Sequence, residues 1–216
     1  MSYKQEKKST ETGYKINPMS ILSISRGIKS YYNTYRSIRH IGAGICEDKD
    51  PCSIFYIENY MDCIILLHHF FELTFKDLLS QGNDYLILNY NNIKDKHMFS
   101  LYNKATFDTN GINSVEFSSI FSRLTKFINK IFSEKQFDFL IKSRDTFIEL
   151  NQYRNKIMHK GLFVLTHIEL DNFIGGKLFP VIENLFNTDE YKEFKSKWKE
   201  PAPLGIKIDI FNEVEL

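Results

Sequence analysis

An all-α protein is the fold class this sequence predicts, and three observations predict it. Gly (10) and Pro (5) are scarce over 216 residues, so few positions break helices or favour tight turns. Apolar residues recur at spacings of three and four over several long segments, which is the helical period. Alternating apolar spacing, the mark of a half-buried strand, occurs at Ile206, Ile208 and Ile210 near the C-terminus. The length corresponds to about 1.4 typical domains. The expectation is a polar arm over 1–17, one helical domain over 18–198 with its core at 53–186, and an extended tail over 199–216. The domain is read as a bundle of about five helices with an extra N-terminal helix.

Pro18 suits a helix start, because proline is tolerated in the first turn. From there Ile21, Ile24, Ile28, Tyr31, Tyr35 and Ile38 form an apolar face. Arg26, Lys29, Arg36 and Arg39 give the same segment a basic stripe, ending before Gly42 and Gly44. Residues 53–80 contain no Gly or Pro. Ile54, Ile57, Met61, Ile64, Leu67, Phe71, Phe75 and Leu78 mark this helix as mostly buried. His68, Glu72 and Lys76 add a polar stripe at steps of four, which in isolation reads as a paired row on a partly exposed face. Residues 81–113 are rich in Asn, Asp and Gly and read as an irregular connection, with room for a short element around 97–104.

Ser114 opens the next helix, with Phe117, Ile120, Leu124, Ile128 and Phe132 as its apolar series. Ser133 begins a longer one through Lys160, with Leu140, Phe147, Leu150 and Ile157 inside and Gly161 as a stop. Residues 167–186 read as a further helix weakened by Gly175, Gly176 and Pro180.

The composition is that of a globular chain, with 43% apolar and 25% charged residues. It excludes a wholly disordered chain, a collagen and a membrane-spanning bundle. Lys and Arg number 28 against 27 Asp and Glu, a net charge of +1. A generally polybasic nucleic-acid binder is thereby disfavoured, so an anion site needs local clustering. Three cysteines, Cys46, Cys52 and Cys63, fit neither a disulfide framework nor a zinc ribbon. The polar N-terminus lacks an apolar leader core, and a cytoplasmic location is expected.

The chemistry concentrates in Tyr153-Arg154-Asn155-Lys156-Ile157-Met158-His159. On a helix, Asn151, Asn155 and His159 fall four apart, and Arg154 has the reach to bring its guanidinium to the same end. Histidine exchanges a proton near neutral pH. Arginine grips a phosphate bidentately and stabilises charge that builds up on it. Asparagine orients either group. Together they suit RNA cleavage in which the ribose 2′-oxygen attacks the adjacent phosphorus, and no metal or cofactor is needed. Against this stands the plain reading of a terminal histidine meeting the helix dipole. One histidine leaves an acid or a base missing. A second copy across a two-fold axis supplies it, or His68, Glu72 or Lys76 does so within one chain.

Arg154-Asn155-x-x-x-His159, on a late helix of an α-bundle, resembles the RNxxxH motif of HEPN domains (higher eukaryotes and prokaryotes nucleotide-binding). The segments Leu66–Leu79 and Ser114–Leu124 resemble the family's preceding helices. The resemblance covers roughly residues 53–186. It implies a homodimer with a composite cleft and metal-independent endoribonuclease activity in toxin–antitoxin or antiphage systems, with an antitoxin or defence partner. Arg154 and His159 would be catalytic and Asn155 the polar motif position. Glu72, Lys76, His68 and Asn151 are supporting candidates, and Arg26, Lys29, Arg36 and Arg39 would line the RNA approach. Non-catalytic members of the family bind nucleotides or other proteins, and a binding or scaffold module is the alternative.

Overall fold

The structure, a computed structural model, describes residues 16–41, 51–89, 114–132, 135–160 and 164–192. These are mostly helical, as the apolar spacing predicts. The one strand-like feature among them is an isolated bridge between Leu88 and Ser114.

Helix α1 runs from Pro18 to Ile41 and α2 from Pro51 to Ser80. The two lie antiparallel. Asn17 N donates to Asp77 Oδ2 at 3.1 Å, and Ser23 Oγ meets His69 Nδ1 at 2.8 Å. Small side chains allow this pairing to be close. Ser20, Ser23 and Thr34 of α1 are buried, and a Cβ at Gly27 would stand 3.2 Å from Leu67 Cγ. Helix α2 is the centre of the domain. Tyr60, Ile64, Leu67, Phe70, Phe71, Phe75, Leu78 and Leu79 all have 0% exposure. At 3.6 residues per turn these positions cover about half of the helix circumference, and half-buried Ile65, Leu66, His69 and Leu73 lie on the other half.

A short 3₁₀ turn, Asp84–Ile87, follows, and α3 spans Phe117–Ile131. Arg123 of α3 donates to the carbonyls of Leu86 and Leu88 at 2.8 Å, tying this turn down. The long helix expected from Ser133 is divided. Lys135 has φ 58°, a left-handed value that a continuing helix does not contain. A turn then leads into α4 (Asp138–Lys142), and Ser143 separates it from α5 (Arg144–Lys160). The helix expected from Ser114 starts later, at Phe117, because Ser114 is in the bridge to Leu88.

The last segment corrects the expected weakness over 167–186. Helix α6 (His167–Phe173) opens with a complete Thr166–Glu169 capping box. It passes through a π turn (Ile174–Leu178) into α7 (Phe179–Phe186) without interruption. Pro180 lacks an N–H and its ring crowds the carbonyl one turn back. Gly175 and Gly176 tolerate the wider winding, in which Phe179 N–H bonds the Ile174 carbonyl. Arg36 and Arg39 side chains, the expected element at 97–104, Gly161 and the 199–216 tail lie outside the described residues. No described helix is long and apolar enough to cross a membrane.

Two tests follow from this packing. Gly27→Val places branched carbon against Leu67 and should lower stability by about 1–3 kcal/mol in urea unfolding. Burial raises the Asp77 carboxyl to about 6, opposed by the hydrogen bond from Asn17 N–H. The native state then holds this proton more tightly than the unfolded chain, whose Asp titrates at about 3.9. The Asp77 contribution is fully present below that value and is lost as pH rises through about 6. Asp77→Asn should therefore raise the melting temperature relative to wild type at pH 7 and match it near pH 4. An identical difference at both pH values would refute the assignment.

Candidate functional site

Helix α5 is set in place by Phe147, whose ring contacts Phe71 and Phe75 of α2, each at 4.9 Å, and Phe121 of α3 at 5.1 Å. From the other side, Tyr153 packs edge-on against Phe173 at 4.9 Å. Its hydroxyl donates to Glu149 Oε1 at 2.6 Å, while Lys177 donates to Glu149 Oε2 at 2.7 Å. The motif helix is thus held between α2 and the α6–π segment.

One turn beyond Phe147, Asn151 reaches α2. His68 Nε2 lies 3.0 Å from Asn151 Oδ1. A carboxamide oxygen only accepts, so Nε2 carries the proton and donates. His68 is 5% exposed and its ring lies against Phe117 at 4.2 Å. Burial pushes the His68 imidazole down. The charges of Arg154 and His69 act in the same direction, while the Asn151 hydrogen bond and Glu72 oppose them. The Arg154 guanidinium therefore acts on the same locality as His68. Its Nη1 donates to Asn155 Oδ1 at 3.0 Å, which fixes the fork.

His159 stands apart from this pair. It is exposed in the last turn of α5, five residues and about 7.5 Å of helix rise beyond Arg154. Asn151, Asn155 and His159 therefore grade from the α2 contact to solvent. Glu72 is held by Lys76 at 2.5 Å, and Lys76 also donates to Ser114 Oγ at 2.9 Å. These two form the internal pair their spacing predicts. Arg26 is exposed and Lys29 half-buried on α1. Among the described residues no group of His, Cys, Asp and Glu is placed to hold a metal ion. Cys63 is buried, and burial pushes its thiol up, which makes it inert packing.

The structure also holds a feature the sequence reading missed. Between α3 and the α4–α5 segment is a groove of about 560 Å³. Phe117, Phe121, Ile141, Phe147 and Ile148 give it apolar walls. Its polar lining is Ser118, Ser122 and Thr125 on one side and Arg144, Asn151 and Gln152 on the other. The available signal was the hydroxyl row Ser118, Ser122 and Thr125, which shares one helical face opposite the buried Ile120 and Leu124.

No family model, curated protein or solved structure matches the chain.

Asn151→Ala deletes the acceptor for the buried His68 N–H. An unmet buried donor costs about 1–3 kcal/mol. The loss should appear in denaturant unfolding, and a double substitution with His68→Leu should recover part of it.

Proposed function

We propose that this chain is a metal-independent endoribonuclease of the HEPN type, acting as a toxin or antiphage-defence effector. The observation that carries the reading is the Arg154–Asn155 hydrogen bond, beside the His68–Asn151 contact and on the helix that ends in exposed His159. A guanidinium held by an adjacent amide is pre-positioned for two phosphate oxygens. In the reaction, a base takes the 2′-OH proton and the oxygen attacks phosphorus. The P–O5′ bond breaks, and an acid protonates the departing oxygen. Arg154 stabilises the charge on the phosphoryl oxygens. His159, open to substrate, serves as acid or base.

Burial favours one of the two ways of supplying the second group. His68 is covered and spends its Nε2 proton on Asn151, so it positions that amide and does not transfer protons to RNA. Glu72 is neutralised by Lys76. The second acid–base group then comes from His159 of a second copy, with two Arg154–His159 pairs facing one cleft. A second reading, a non-catalytic HEPN-like binding or scaffold module, is favoured by one observation: α5 contributes a single exposed imidazole.

Purified protein should cut single-stranded RNA in EDTA and leave 2′,3′-cyclic phosphate ends. Arg154→Ala and His159→Ala should each reduce the rate by about 10²–10⁴-fold, the range of general acid–base and charge-stabilising effects. Undiminished cleavage in both variants would sink the site. Intact RNA with wild type, together with normal growth on expression, would favour the binding module.

A further inference from the structure

We infer that the groove between α3 and α5 is a nucleotide subsite, which seats a planar base against its apolar walls and the attached phosphate on Arg144. Its volume, about 560 Å³, falls in the range of small-molecule sites, roughly 300–1,000 Å³. The lining has the two kinds of surface that a nucleoside phosphate presents. Phe117, Phe121 and Ile148 supply apolar area for a flat heterocycle, and unstacked bases are held on such side chains. The polar part contains one cation and no carboxylate. That balance favours an anion over a basic or zwitterionic ligand.

Each polar group has capacity to spare. Arg144 is exposed in the first turn of α5 and forms no ion pair among the described residues. Its planar fork matches phosphate. Asn151 gives its oxygen to His68, which leaves both amide N–H donors for the groove. Gln152 offers a donor and an acceptor beside it. Two neighbouring carboxamides can read the edge of a base, whereas the hydroxyls of Ser118, Ser122 and Thr125 suit ribose or water.

The position links the groove to the chemistry. Arg144 and Arg154 are ten residues apart on one helix, about 15 Å along its axis. Asn151 lies between them and belongs to both places. As a subsite for one unit of an RNA strand, the groove rests on the ribonuclease reading. Its affinity for a nucleoside phosphate does not.

The test uses the full chain and calorimetric or NMR titration with the four nucleoside 5′-monophosphates, inorganic phosphate, adenosine and a 5′-phosphorylated RNA tetranucleotide. A nucleoside monophosphate should bind more tightly than phosphate or adenosine alone. Arg144→Ala should weaken it about 10-fold, the size of one lost charge-assisted contact. Ser122→Trp, an exposed substitution that fills the groove, should abolish it. Thermal melts of both variants should match wild type. Tetranucleotide binding that exceeds monophosphate binding assigns the site to a strand, and the reverse assigns it to a free nucleotide. Phosphate binding as tight as monophosphate binding, or binding indifferent to both substitutions, overturns the inference. RNA cleavage is measured on the same samples. Cleavage without groove binding removes the subsite and keeps the ribonuclease; binding without cleavage does the opposite.

Discussion

Phe147 is the point at which three helices become one structure. Its ring meets Phe71 and Phe75 of α2 and Phe121 of α3, and it is fully buried. Aromatic pairs of this kind add about 0.5–1.5 kcal/mol each beyond the area they bury. The functional geometry follows from this anchor. Residues four apart on α5 advance about 40° around the axis per step, because the helix has 3.6 residues per turn. Starting from Phe147 in the core, the row Asn151, Asn155, His159 therefore rotates outward. It first meets His68, then braces Arg154, and finally reaches solvent. One helical offset thus produces a site with a fixed base and an accessible end.

The spacing of apolar residues was enough to read the helical class and the placement of α1, α2, α3 and α5. It failed where the chain changes winding. Ser143 and Lys135 are ordinary residues, and nothing in a periodic pattern distinguishes a break there from continuing helix. Gly175, Gly176 and Pro180 were read as weakness because each is a poor helix former. The structure uses them together in a π turn, where a missing N–H and missing side chains suit the wider coil. The reach of Arg154 to Asn155 was legible because it is local. The His68–Asn151 contact spans 83 positions, and the groove lies between two segments. Both depend on how helices dock, which a row of residues along one helix does not contain.

Neutral donors make several of the polar joints between helices among the described residues. Tyr31 and Tyr35 of α1 both donate to Asp171 Oδ1 of α6, at 2.9 and 2.5 Å. Burial, with the hydrogen bond to Asp171, pushes the Tyr35 phenol up to about 12, so it stays protonated and keeps donating. His167, with Tyr56 at 4.2 Å, has both ring nitrogens buried without a partner. Burial pushes its imidazole down, against the pull of Asp171. It is therefore held neutral and acts as an aromatic ring. These contacts attach α1 and α2 to the C-terminal helices through the half-buried Asp171 carboxylate and an uncharged imidazole.

The neutrality of the buried histidines bears directly on the proposed chemistry. Inside the chain the imidazoles of His68 and His167 are kept uncharged by burial, and an imidazole so held is a poor carrier of protons to an outside substrate. His159, at the end of α5, is exposed and free of that burial. A transesterification that needs both an acid and a base cannot draw the second from the core. On the proposed ribonuclease reading, a second chain would bring its own α5 end to the first; on the binding-module reading, no second group is needed. The positive charge needed for a polyanion is subject to the same logic. Under the proposed reading, a chain of net charge +1 would have to attract RNA by local placement of arginine, and α5 carries arginine at both Arg144 and Arg154 with Asn151 between them. The helix that Phe147 anchors in the aromatic core is thus the one on which recognition and reaction are proposed to lie.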